Sequence, residues 1–76
     1  MSAKAEVLEF VAGQGAVDSW TVAVGLGYAT LSGAAATLLR LHRHGHLHRR
    51  REEGHSYVYS VSPKGHQWLE WWWVQR

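Results

Sequence analysis

Between Ser32 and Gly65 the chain reads SGAAATLLRLHRHGHLHRRREEGHSYVYSVSPKG, and this run leaves few folds open to it. In order it gives a helix with a basic end, a strand loaded with arginine, a tight turn, a second strand of alternating tyrosines, and a new helix start. The expected strands are His46 to Arg51 and Ser56 to Val61, with Tyr57, Tyr59 and Val61 on one face at period 2. The link Glu52-Glu53-Gly54-His55 is short and polar and contains the glycine a hairpin needs. Ser62-Pro63 joins a capping side chain to proline at the first helical position, a strong start signal. Five of the eight Lys/Arg residues (Arg40, Arg43, Arg49, Arg50, Arg51) fall within twelve positions, so the formal net charge of +2 is concentrated on one element pair. A local cationic surface of this kind suits a polyanion.

The flanking segments read as helices. From Ser2 to Gly13, Val7, Leu8, Phe10 and Val11 recur at helical spacing among Lys4, Glu6 and Glu9, and the pattern stops at Gly13-Gln14-Gly15. Ala16-Val17 is too short for an independent strand but can pair at the edge of a small sheet. Asp18 or Ser19 offers an N-cap for a short helix carrying Trp20, Val22, Ala23 and Val24, ended by Gly25-Leu26-Gly27. After a short turn the third helix runs from Thr30 or Leu31 to His44 and stops at Gly45; two helices joined in this way make a helix-turn-helix. Within the third helix Leu31, Ala34, Leu38 and Leu41 form the expected core stripe. Ser32, Gly33, Ala36, Thr37, Arg40 and Arg43 are expected opposite. The last helix turns Trp68, Leu69 and Trp72 inward and leaves Trp71 and Trp73 to other faces.

Several function classes are disfavoured. The 76 residues are expected to form one domain, 1–76, and a domain of this size buries only about 60% of the surface its unfolded chain exposes. With no cysteine, neither a disulfide nor a thiolate zinc site can add stability, and oligomerisation is the available support. No run approaches the roughly 18 apolar residues of a membrane span, and the first residues lack the apolar core of a signal peptide, so a cytoplasmic protein without membrane contact is expected. Ser, His and Asp form no triad or elbow motif, and Gly25-Leu26-Gly27 is too short for a phosphate-cradling loop. No enzyme, cofactor or separate ligand-binding domain is expected. His42, His44, His46 and His48 invite a metal reading, but residues two apart on a helix point about 200° from each other and Gly45 interrupts the series. They are read as phosphate-facing or surface histidines, whose protonation near an unperturbed value of about 6.5 would strengthen contact with phosphate.

The order helix, short strand, helix, helix, hairpin, helix resembles that of a winged helix domain. Over nearly its whole length the chain is similar to small bacterial and archaeal transcription regulators of the MarR and PadR type. The most specific part is RLHRHGHLHRRREEGHSYVYSVSPKG, which looks like a recognition-helix end, a basic strand, a wing turn, a Tyr-rich strand and a Ser/Thr-Pro-Lys-Gly helix start. The resemblance implies an α+β winged helix-turn-helix, with a three-helix core, a β-hairpin wing and a C-terminal helix. It implies binding of double-stranded DNA, with contacts from Tyr28, Thr30, Ser32, Gly33, Ala36, Thr37, Arg40 and Arg43, and wing contacts from Arg49, Arg50, Arg51 and His55. An exposed aromatic patch usually marks an interface, so Trp71 and Trp73 are expected to hold a homodimer.

One segment departs from the family. Where related recognition helices carry Arg, Asn, Gln or Lys, this chain has Ser32-Gly33-Ala34-Ala35-Ala36, which cannot supply bidentate base contacts. Small side chains would let the helix approach the groove closely, with Ala or Thr methyls against thymine methyls and specificity drawn from DNA shape. The same surface could equally bind another protein as part of a larger assembly, and a DNA binder of low sequence preference is the remaining alternative.

Overall fold

Each of three helix starts is held by a side chain that the sequence puts there. The computed structural model describes residues 3–54 and 57–75, with the order α1 Ala3–Gln14, α2 Ser19–Leu26, α3 Leu31–Arg43, β1 Leu47–Arg51, β2 Tyr57–Val61 and α4 Pro63–Gln75. Asp18 caps α2 by accepting from the Thr21 backbone N–H at 2.8 Å, and Thr30 caps α3 by accepting from the Gly33 N–H at 3.0 Å. Ser62 does the same for α4, accepting from the Gly65 N–H at 3.0 Å.

The two strands form one antiparallel hairpin, registered Leu47 with Val61, Arg49 with Tyr59 and Arg51 with Tyr57. Val17 pairs with Tyr59 on the other side of β2, through reciprocal backbone hydrogen bonds of 2.9 and 2.7 Å, as its position before α2 suggested. Glu52 to Gly54 are described in the turn; His55, Ser56 and Ser2 lie outside the described residues. The architecture is α+β, four helices with a two-stranded hairpin.

A core of Val7, Leu8 and Val11 from α1, Val22 from α2, Ala34, Leu38 and Leu41 from α3, Leu47 and Tyr59 from the hairpin, and Leu69 from α4 draws the elements together. Leu31, expected on the core stripe of α3, is instead 49% exposed. Thr37, expected on the opposite face, is only 9% exposed, and its hydroxyl donates to the Gly33 carbonyl at 3.0 Å. Both differences have one cause. The buried residues Ala34, Thr37, Leu38 and Leu41 centre the core-facing side of α3 about 30° around the helix from the 31–34–38–41 stripe, toward Thr37 and away from Leu31.

The end of α3, the hairpin and the start of α4 meet at Ser62. Its hydroxyl donates to the Gly45 carbonyl at 2.5 Å, its backbone N–H bonds the His46 carbonyl at 3.1 Å, and Lys64 Nζ reaches the His44 carbonyl at 2.9 Å. The lysine thereby satisfies a carbonyl at the C-terminus of α3, where a cation is electrostatically favoured. A side chain at Gly65 would collide with the His46 carbonyl and the Val61 side chain, so the Ser-Pro-Lys-Gly run is matched to this junction residue by residue.

Candidate functional site

The helices α2 and α3 are bent by 112° across the break Gly27–Thr30. With Val22, Ala23 and Leu26 turned toward the interior, helical geometry sends Trp20 outward, and it is 66% exposed. Trp20 stands beside the flank of α3 that carries Leu31, Ala35, Ala36 and Leu39. Across from them lies the face of the hairpin that carries Arg49, Tyr57 and Tyr59. Together these elements line an open groove of about 500 Å³, with Asp18 and Ser19 at its α2 end.

The strand pleat sorts the arginines of the hairpin. Arg49 and Arg51 share a face, and their guanidinium groups lie 4.1 and 5.3 Å from the centre of the Tyr57 ring. Cation–π attraction to one ring holds both charges beside the groove. Arg50 points from the opposite face and pairs with Glu52 at 3.2 Å, an exposed ion pair in which the carboxylate offsets the charge. Arg40 and Arg43 are exposed toward the C-terminal end of α3. The Asp18 carboxyl is held below the usual carboxylate range, first by the Thr21 backbone N–H and then by the Thr21 hydroxyl, so the α2 end of the groove carries a negative charge spent on capping.

The remaining expected contact residues divide. Ser32 and Ala36 are exposed on α3, and Thr30 is exposed with its hydroxyl engaged as the cap. Gly33 is half-buried against Thr30 and Tyr28. Tyr28 lines a different depression, with Ala3, Glu6, Val7, Leu26 and Gly27, on the α1 side of the turn. Thr37 is withdrawn into the interior as described, which takes it out of reach of a ligand on the exposed face of α3. His55 lies outside the described residues.

The histidines part company. His42 Nδ1 donates to the Leu47 carbonyl at 3.0 Å and its ring stands edge-on to Tyr59. His46 is buried, edge-on to Trp68, with Nδ1 unpartnered, and its imidazole is held below the ordinary value of 6.5 first by burial and then by Lys4, Lys64 and His44. His44 and His48 are exposed. Among the described residues no three His, Asp or Glu side chains converge on a point that could hold a metal ion.

On α4, Leu69 is fully buried, while Trp68 and Trp72 stack nearly parallel at 5.7 Å and Lys4 lies 4.4 Å from the Trp68 ring. Trp71 and Trp73 are 54% and 47% exposed, and the Trp73 indole N–H donates to Glu9 at 2.7 Å.

Of the residues lining the groove only Ala36 and Arg49 were expected contacts; Trp20, Leu31, Ala35 and Leu39, the strand tyrosines Tyr57 and Tyr59, and Asp18 and Ser19 at the α2 end were not. For Trp20 a signal existed: once Val22, Ala23 and Leu26 are assigned inward, the first-turn tryptophan has no place in the core. Among the described residues no single helix is long and apolar enough to cross a membrane. Comparison with protein-family models, with curated proteins and with solved structures finds no match to this chain.

Proposed function

We propose that this protein binds double-stranded DNA as a winged helix domain, with α3 entering the major groove and the hairpin serving as the wing on the flanking backbone. It would act in the cytoplasm as a small homodimeric transcription regulator, paired through Trp71 and Trp73. The observation that carries the reading is the shared groove. The Leu31–Leu39 flank of α3 and the Arg49–Tyr57 face of the hairpin line one concavity, as a helix and a wing gripping one duplex would require. The 112° bend between α2 and α3 agrees with the helix-turn-helix arrangement, in which the second helix reads base edges from its N-terminal residues. Two copies would set their recognition helices about one helical turn, roughly 34 Å, apart.

The apolar lining of the groove favours a second reading, a docking face for another protein. A salt titration of duplex binding separates the two. The DNA reading expects log affinity to fall linearly with log salt, by about 0.9 per phosphate contacted, for random duplex and more tightly for selected genomic fragments. Absence of duplex binding at low salt would leave the protein-docking reading in its place.

A further inference from the structure

From the side chains that α3 turns to this groove we infer that the protein prefers A·T-rich duplex and recognises it by the C5 methyl group of thymine. The inference rests on the DNA-binding reading above. Leu31, Ala35, Ala36 and Leu39 line the groove from α3, Leu31 and Ala36 exposed and Ala35 and Leu39 half-buried, and Ser32 is the one exposed hydroxyl beside them; no amide, guanidinium or ammonium appears on α3 before Arg40. Recognition of guanine by a forked donor, or of adenine by a side-chain amide, has no residue to perform it in this stretch.

An apolar surface pressed against the major-groove edge costs every base pair alike, because the donors and acceptors of that edge lose water without gaining a partner. Only thymine returns something, since its methyl group projects into the major groove and is buried against leucine and alanine. The charge around the groove fits the same ligand. Arg49 and Arg51 lie over Tyr57 on one bank and Arg40 and Arg43 are exposed further along α3, so these sides of the apolar strip carry cations suited to phosphate, while the one carboxylate in the lining, Asp18 at the α2 end, is engaged in capping.

The test uses the intact chain and three pairs of otherwise identical duplexes of about three helical turns: mixed A·T sequence against the same sequence with uracil replacing thymine, A·T against G·C, and G·C against its 5-methylcytosine form. Burial of one methyl group corresponds to about a fourfold change in affinity, so a site contacting two or more thymines should lose about tenfold or more on uracil substitution. The G·C duplex should gain affinity on cytosine methylation, which restores a methyl at the corresponding groove position without adding thymine. In a Leu31→Ser, Leu39→Ser double variant, whose folding is checked by its melting curve, the thymine-to-uracil ratio should shrink toward one while the salt slope stays as in the wild type. Equal binding of thymine and uracil duplexes with a full salt slope overturns this inference and leaves the DNA-binding reading standing. Absence of binding to every duplex overturns both, and gives the apolar groove to a protein partner.

Discussion

The sharpest consequence of the strand pleat is that the three neighbouring arginines of β1 should not behave alike. Arg49 and Arg51 stand over Tyr57 beside the groove, whereas Arg50 lies on the reverse face with Glu52 3.2 Å away. Changing Arg49 and Arg51 together to Gln removes two charges from the groove side and should flatten the slope of log affinity against log salt by about 1.8, at about 0.9 per phosphate. Over a range of roughly 50 to 200 mM salt, two such contacts account for about a tenfold loss of affinity, and that part of the salt response should disappear. Arg50→Gln should flatten the slope by much less than about 0.9, because Glu52 already offsets part of its charge and its face is turned away. Fluorescence anisotropy on a labelled duplex at a series of salt concentrations measures both slopes, with thermal melting to confirm that each variant folds. If Arg50→Gln changed the slope as much as the double variant does, the face assignment would have no bearing on how DNA is held.

Three further outcomes test the scaffold. Ser62→Ala removes both the α4 cap and the bond to the Gly45 carbonyl, and should cost about 1 to 3 kcal/mol, read as a fall in Tm of roughly 5 to 20 °C for a domain of this size; a drop of only a degree or two would mean that the junction is held by something else. Because burial holds the His46 imidazole below its ordinary value of 6.5, the unfolded chain takes up that proton more readily. Stability should therefore be full above about pH 6.5 and fall below it until the folded imidazole titrates, and denaturant melts of wild type and His46→Leu across that window should differ in slope with pH. Replacing Trp71 and Trp73 with Gln should give a monomer by light scattering at micromolar concentration and weaken duplex binding, since two half-sites would no longer be engaged together; a wild-type monomer, or a dimeric double variant, removes these residues from the contact.

Much of the architecture was legible because local chemistry and tertiary demand agree. The caps at Asp18 and Ser62 stand where side-chain oxygen precedes a helical pattern, Thr30 proves to be the cap where the third helix was expected to begin at Thr30 or Leu31, and the alternation through Tyr57, Tyr59 and Val61 matches one face of the hairpin. The edge pairing of Val17 was readable as an extended pair of residues trapped between two helices. The flank of α3 was harder. Four apolar positions at 31, 34, 38 and 41 make a stripe, but which of its edges is buried depends on where α2 and the hairpin pack, and no spacing within the helix carries that information. Thr37 illustrates the ambiguity, for a threonine bonded to the carbonyl four residues back can enter the interior with its hydroxyl satisfied. The division of Arg49, Arg50 and Arg51 was implicit in the period of a strand, yet the ring that holds two of them comes from the other strand.

The arrangement of the sheet also bears on how the molecule behaves in concentrated solution. Backbone pairing flanks β2 on both sides, with β1 on one and Val17 on the other, while among the described residues no strand lies along the far side of β1. An unprotected strand border is a template onto which further chains can add, and a row of positive side chains is a common defence against that. The sequence of β1, Leu-His-Arg-Arg-Arg, supplies such a row. The same guanidinium groups proposed to hold phosphate would then also repel a second copy approaching strand to strand, so neutralising them, by mutation or by bound polyanion, should favour self-association along this strand border.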